Sequence, residues 1–285
     1  MAKPQDFNTK VTPTWCPGCG NFGLWQAFKE ALSEQGLEPH QVAMTFDIGC
    51  CGNAANWHNL YGFHSLHGRT VPVALGIKLT NSKLTVIADS GDGGGYGEGG
   101  NHFLHTCRTN VDITFVVHNN QIYGLTTGQA SPTTDTGMET KTTPAGQIEQ
   151  PFHPLQVAIA QGATFVARGF TGDTKHLKEI FKKAIQHKGF SLVDVLQPCI
   201  TWNKENTFDW YRKRVYKLED QNWDIKNKDQ ALLKAGEWGQ KIPIGVFYQE
   251  SRPTYGDKLP QIKDKTLIEQ GVKVGDITEF LEEFK

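Results

Sequence analysis

The residues best suited to chemistry are six cysteines, at positions 16, 19, 50, 51, 107 and 199, and the acidic glycine-rich run Ser90-Gly91-Asp92-Gly93-Gly94-Gly95. A glycine-rich turn that leaves a strand and opens a helix lets backbone N–H groups close on an anion, which is how a diphosphate is held. Magnesium prefers six oxygens in near-octahedral array and takes few of them from protein. The Asp92 carboxylate, the Asn120 amide oxygen and the Ile122 carbonyl, joined by two diphosphate oxygens and a water, would complete that count. Asn120 lies 28 residues beyond Asp92 with a helix and a strand between them. In a right-handed βαβ unit, both residues finish at one edge of the sheet. Against this stands ordinary turn chemistry, since glycines and asparagines commonly follow strands.

Trp15-Cys16-Pro17-Gly18-Cys19-Gly20 puts two thiols two residues apart, a spacing that turns both sulfurs toward one metal centre. Cys50 and Cys199 each follow a strand-like run, so both can reach the edge where Asp92 and Asn120 sit. Four thiolates serve either a structural zinc or a cubane iron–sulfur cluster, and spacing alone leaves both open. Cys51 is the spare neighbour of Cys50, and Cys107 falls inside a helix, where a small buried hydrophobe is the default. His67, in Leu66-His67-Gly68-Arg69, suits a hydrogen-bond donor to diphosphate, with Arg69 either neutralising phosphate or forming a structural ion pair. Neither a GxGxxG with its ribose-binding acid nor a GxxxxGK[ST] loop is present, so nucleotide loops are poor rivals.

The elements that must position these groups alternate strand and helix. Short β-branched runs at Val42-Ala43-Met44-Thr45-Phe46, Leu84-Thr85-Val86-Ile87-Ala88, Ile113-Thr114-Phe115-Val116-Val117, Ala163-Thr164-Phe165-Val166-Ala167 and Ser191-Leu192-Val193-Asp194-Val195-Leu196 suit strands buried on both faces. Helical spacing predicts helices over Phe22 to Leu32, Glu98 to Arg108, Pro154 to Gln161 and Lys175 to His187. The pattern predicts an α/β fold, a doubly wound and mostly parallel sheet with its ligand site at the strand carboxyl ends. Residues 1–200 form the expected domain. Residues 201–285, polar apart from the strand-like Pro243 to Tyr248, form a wrapping carboxyl-terminal extension that packs on it or on a partner. The hydroxyl-rich loop from Gly124 to Gln150 is either a cover for the site or a solvated surface loop.

Composition narrows the function. The 285 residues carry 29 Lys plus Arg against 30 Asp plus Glu, a net charge of -1, which lacks the electrostatic footprint of a nucleic-acid binder. No apolar run approaches membrane-spanning length, and the first residues do not read as a secretory signal, so a cytoplasmic protein with no membrane or nucleic-acid partner is expected.

The Gly-Asp-Gly turn followed by Asn-Asn resembles the fingerprint of thiamine-diphosphate enzymes. Taken together, Trp15 to Gly20, Ile48-Gly49-Cys50, Leu66 to Arg69, Gly76-Ile77-Lys78-Leu79, Gly91-Asp92-Gly93, Tyr123-Gly124-Leu125, Gly128 to Thr133 and Gln197-Pro198-Cys199 resemble, in order, the β subunit of a 2-oxoacid:ferredoxin oxidoreductase. The resemblance runs roughly from Thr14 to Trp202. It implies the fold of a thiamine-diphosphate-binding diphosphate module. It further implies a four-iron four-sulfur cluster on Cys16, Cys19, Cys50 and Cys199, and magnesium on Asp92, Asn120 and the Ile122 carbonyl. Thiamine diphosphate would be lined by Ile48, Gly49, Cys50, Cys51, His67, Gly93, Gly94, Gly124 and Leu125. Many relatives carry Ser at the position of Cys51 and a basic residue at that of Asn53. The implied activity is oxidative decarboxylation of a 2-oxoacid, 2-oxoglutarate or pyruvate, with coenzyme A, electrons leaving through the cluster to ferredoxin. Because the chain offers one α/β module, a partner α subunit is expected to supply the glutamate that activates the cofactor. Two other readings stay open, a zinc-stapled structural protein and a non-redox thiamine-dependent decarboxylase or transferase.

Overall fold

The computed structural model describes residues 1–271, 275 and 277–284, so the extension expected over 201–285 is described except at 272–274, 276 and 285. In chain order the strands are β1 (Val42–Phe46), β2 (Tyr61–His64), β3 (Thr85–Gly91), β4 (Thr114–Asn119), a small hairpin of β5 (Ile122–Tyr123) and β6 (Gln129–Ala130), then β7 (Phe165–Phe170), β8 (Ser191–Leu196), β9 (Val215–Lys217) and β10 (Ile242–Gln249). Eight of them make one sheet in the order β2-β1-β3-β4-β8-β7-β10-β9. All its neighbours are parallel except β10 against β7. The α/β doubly wound reading therefore holds. The segment after residue 200, expected to wrap the domain, also extends its sheet, β10 pairing with β7 and β9 with β10.

Alternation along the strands explains why helices cover both faces. Val42, Met44 and Phe46 point to the face covered by α1 (Gly20–Glu34) and α5 (Thr174–Gln186), with Ile87, Val116, Val193 and Val195 beside them. Ala43, Val86, Ala88, Phe115, Val117 and Leu192 point the other way, toward α2 (Thr70–Thr80), α3 (Gly100–Thr109) and α4 (Pro154–Ala160). A period of two on strands whose faces are both covered gives the unbroken apolar runs seen in the sequence. Cys107, wholly buried on α3, fills that second core as a small hydrophobe.

Parallel strands direct their carboxyl ends to one rim. Asp47 follows β1, Asp92 follows β3, Asn120 follows β4 and Gln197 follows β8. Between β3 and α3 the chain makes a wide π-helical turn over Gly93–Glu98 with Asp92 at its cap, so the regular helix starts at Gly100, two residues later than the sequence suggested. Among the described residues no helix is long and apolar enough to cross a membrane.

Candidate functional site

Two cavities meet at this rim. The first, about 110 Å³, is lined by Ile48, Gly49, Cys50, Cys51, His67, Asp92, Gly93, Gly94, Asn120, Ile122, Gly124 and Leu125, together with Asn21, His118, Tyr123 and Gln197. The second, about 200 Å³, is lined by Cys16, Cys19, Cys50 and Cys199, with Trp15, Asn53, Ile200 and Trp202. Each residue that the resemblance assigned to a cofactor or metal borders one cavity or the other. Asn21, Cys50, Asn120, Gly124, Leu125 and Gln197 border both, so the two spaces are adjoining. A larger cavity, about 550 Å³, is elsewhere, around Lys78, Asp112 and Lys188. It carries none of this chemistry, and Lys78 is already paired with Asp112 at 2.9 Å.

Asp92 is buried, and its Oδ2 accepts from Ser131 Oγ at 2.5 Å and Thr133 Oγ1 at 2.6 Å. Burial pushes this carboxyl up to about 6, against the pull of those two hydroxyls. Its side-chain partners among the described residues are neutral. Such a group invites a cation, and Oδ1 takes neither hydroxyl. Asn120 is oriented from both ends: its Oδ1 accepts from the Ile122 N–H at 3.1 Å, and its Nδ2 donates to Gln197 Oε1 at 3.1 Å. The hydroxyl-rich loop thus turns inward. Ser131, Thr133 and Thr134 are buried, and Thr133 also donates to Asn119 Oδ1 at 2.9 Å.

Close packing explains the glycines of the turn. A Cβ at Gly93 would lie 2.2 Å from Tyr123 Cε1, and one at Gly94 would lie 2.6 Å from Asp47 Oδ2. Asp47, which the sequence did not single out, organises the surroundings. It is wholly buried; its Oδ1 accepts from the N–H groups of Ile48 at 2.7 Å and Gly68 at 2.8 Å, and from His67 Nδ1 at 3.2 Å. Its Oδ2 accepts from Ser90 Oγ at 2.6 Å. One carboxylate thereby ties together the loop after β1, the His67 turn and the exit of β3. Asp47 is the acidic residue that ends β1, and that position was the available signal. Arg69, expected on phosphate or in an ion pair, instead donates through Nη1 to the carbonyls of Gly68 at 3.2 Å and Glu98 at 3.0 Å, which pins the far end of the turn.

Around the second cavity, Cys19 occupies the cap of α1, and the Cys50 carbonyl accepts from Trp15 Nε1 at 2.7 Å. A Cβ on Gly124 would lie 3.6 Å from Cys199 Sγ and 3.7 Å from Cys50 Sγ, so this glycine keeps the space between two sulfurs clear. Burial first, then neighbouring cysteines, push the Cys19 thiol up to about 12 and Cys50 up to about 11. Cys51 is also pushed well above the ordinary thiol value, chiefly by burial and then by Asp89 and Asp47. Among the described residues no three His, Cys, Asp or Glu side chains are close enough to share one metal ion.

Comparison with known proteins agrees with this geometry. Residues 47–195 match the family profile of the thiamine pyrophosphate enzyme C-terminal TPP binding domain, and residues 199–264 match that of the carboxyl-terminal part of the pyruvate ferredoxin oxidoreductase beta chain. The chain is 49% identical to a 2-oxoacid:ferredoxin oxidoreductase subunit beta from Saccharolobus solfataricus, over 87% of this chain and 85% of that one. It is 40% identical to a 2-oxoglutarate oxidoreductase subunit from Mycobacterium tuberculosis, over 93% of this chain and 75% of that one. A solved 2-oxoglutarate:ferredoxin oxidoreductase from Magnetococcus marinus, with 2-oxoglutarate, coenzyme A and succinyl-CoA bound, superposes with a TM-score of 0.90 at 37% identity, covering 100% of this chain and 96% of that one. With residues 47–195 matching a thiamine pyrophosphate-binding domain and relatives at this level of identity along most of its length, the chain belongs to the β subunits of the 2-oxoacid:ferredoxin oxidoreductases.

Proposed function

We propose that this chain holds thiamine diphosphate and magnesium in the first cavity and a four-iron four-sulfur cluster in the second. In this reading it oxidatively decarboxylates a 2-oxoacid, pyruvate or 2-oxoglutarate, with coenzyme A as acyl acceptor. The adjoining of the two cavities across Cys50 and Gly124 is the observation that carries this reading. Electrons released at one centre then have a short route to the other.

The residues fit the groups. Asp92, Asn120 and the Ile122 carbonyl supply the three oxygens magnesium would take from protein, and the buried Asp92 carboxyl is relieved by a divalent cation. The turn at Gly93 and Gly94 offers backbone N–H groups to the diphosphate, and His67, held between Asp47 Oδ1 at Nδ1 (3.2 Å) and Glu98 Oε2 at Nε2 (3.5 Å), lines the same cavity. Thiamine diphosphate supplies an electron sink for the carbon that loses carbon dioxide. The chain's own share is to orient that cofactor, to exclude water and to keep Cys50 at the boundary of both spaces. Cys16, Cys19, Cys50 and Cys199 all line the second cavity, and a cubane takes four thiolates. Thiols pushed upward by burial and mutual repulsion need bound iron to stay thiolate.

The site is completed by a partner α subunit, which brings the carboxylate that activates the aminopyrimidine. Supporting this, the rim beside the first cavity exposes Ile48, Leu66 and Leu125, and edge strand β2 exposes Tyr61 and Phe63. Such an apolar patch marks a protein interface. Ferredoxin is the electron acceptor. The test is co-expression with the adjacent α partner, anaerobic purification, and dye reduction with a panel of 2-oxoacids plus coenzyme A. Coenzyme A-dependent reduction with one or more acids is expected. No reduction by any acid, with thiamine diphosphate and iron both bound, overturns the assignment.

A further inference from the structure

One side chain links the two cavities. Gln197 is 1% exposed, and its backbone is fixed by donation to the Asn119 carbonyl at 2.9 Å. Its Oε1 accepts from Asn120 Nδ2 at 3.1 Å. Its Nε2 donates to Cys19 Sγ at 3.4 Å and to the Pro198 carbonyl at 3.0 Å. A single primary amide therefore runs from the magnesium ligand to a cluster ligand. The start of α1 closes over it: a Cβ on Gly20 would lie 2.9 Å from Gln197 Nε2 and 3.0 Å from its Cγ. With both polar ends engaged and its stem enclosed, the amide is held in one orientation.

We propose that Gln197 is a positioning residue that couples the two centres: its N–H···S bond sets the potential of the cluster and carries the state of the magnesium site to Cys19. This rests on the assignment of Asn120 and Cys19 made above. Hydrogen bonds to cluster sulfurs are among the levers on reduction potential. Reduction adds negative charge, so an N–H donor favours the reduced form and raises the potential. A cation on Asn120 Oδ1 polarises the Nδ2–H at the other end of that amide. The stronger bond to Gln197 Oε1 polarises Nε2–H toward the sulfur in turn, since bonds in series reinforce one another away from water. Filling the magnesium and diphosphate site thus makes the cluster easier to reduce at the stage when electrons become available. Linkage is reciprocal, so the reduced cluster must tighten magnesium and thiamine diphosphate binding by the same factor.

The test is a dithionite and mediator titration of the anaerobically purified holoenzyme, followed by electron paramagnetic resonance. Wild type, Gln197→Met and Gln197→Glu are each measured with and without magnesium and thiamine diphosphate. The reduced-to-oxidised ratio at fixed poise should fall roughly three- to tenfold in Gln197→Met, about 30 to 59 mV for a one-electron couple. It should fall further in Gln197→Glu, which keeps the acceptor for Asn120 but sets an anion against the sulfur. Removing magnesium and thiamine diphosphate should lower the wild-type potential and leave Gln197→Met unmoved. Equal potentials in all three proteins, with intact cluster signals, overturn the proposal. If neither variant retains a cluster, the wild-type pair decides, and an unchanged potential on cofactor removal overturns it. Wild-type protein lacking iron and acid-labile sulfide overturns the cluster assignment as well, which separates the two failures.

Discussion

Gly94→Ala asks whether the diphosphate turn must sit where the chain puts it. The added Cβ would stand 2.6 Å from Asp47 Oδ2, 2.8 Å from its Cγ and 3.0 Å from its Oδ1. Ordinary contact begins at 3.4 Å, so the turn and the carboxylate must separate by roughly 0.8 Å. Asp47 cannot swing aside, because Ile48, Gly68, His67 and Ser90 all donate to it and it is wholly buried. The turn must move instead. Overpacking of this kind costs about 1–3 kcal/mol, and at about 2–4 °C per kcal/mol the melting temperature should fall by several degrees. Binding suffers as well as folding, since a site tolerates only about 0.5 Å of displacement before its geometry is lost. Calorimetric titration with magnesium and thiamine diphosphate should show Kd raised about tenfold or more, a loss of about 1.4 kcal/mol. Iron content should be unchanged, because Gly94 borders the first cavity and not the second. Gly76→Ala, on α2 with nothing within 4 Å of its new Cβ, is the control, with stability unchanged or raised by about 0.5–1 kcal/mol. A Kd for Gly94→Ala within about twofold of wild type would refute the packing argument.

Cys16→Ser should strip most of the iron and abolish acceptor reduction while thiamine diphosphate binds as before; retained iron and turnover would count against the ligand set. Leu66→Glu, which places a charge on the exposed apolar rim, should weaken α-subunit association by about 3 kcal/mol, roughly a hundredfold in Kd, and leave thiamine diphosphate binding intact. An unaltered Kd would remove this rim from the interface. His58 gives a stability prediction. Burial lowers this imidazole to about 4, among Trp25, Phe28 and Phe46, with Nδ1 on the Ala54 carbonyl at 3.0 Å. Its folded value lies below the unfolded one, so the unfolded chain takes up the proton first. Its contribution is therefore constant above about pH 6.5 and falls by about 3 kcal/mol as pH drops toward 4. Denaturant melts of wild type and His58→Phe across that window should converge in slope only if this reasoning is wrong.

The strands at the centre of the sheet were legible because burial on both faces leaves continuous β-branched runs. β1 and β8 begin and end at the residues read from the sequence. β2 was not legible: Tyr61–His64 is exposed at the sheet edge and includes Gly62, so no apolar run marks it. α2 was hidden by Pro72 and Gly76, although Pro72 lies in the first turn, where its missing N–H has no helical partner to lose. Asp92, Asn120, Cys16, Cys19, Cys50 and Cys199 were expected at one rim from strand exits and residue type, and they line two adjoining cavities there. Ser131 and Thr133 lie in a loop whose composition suits solvent equally well, and only folding shows that their hydroxyls turn onto Asp92. Asp47 and Gln197 act through other residues, so their roles emerge only when segments distant in sequence meet.

Two cofactor sites sharing one wall of this chain is the central claim. Anomalous diffraction at the iron edge, from crystals of the α-partnered enzyme grown anaerobically with magnesium and thiamine diphosphate, tests it most directly. Iron density is expected within the ring of Cys16, Cys19, Cys50 and Cys199, with the diphosphate and its metal at Asp92 and Asn120 across Gly124. Zinc at those cysteines, or a cofactor bound away from the Gly93 turn, would contradict it.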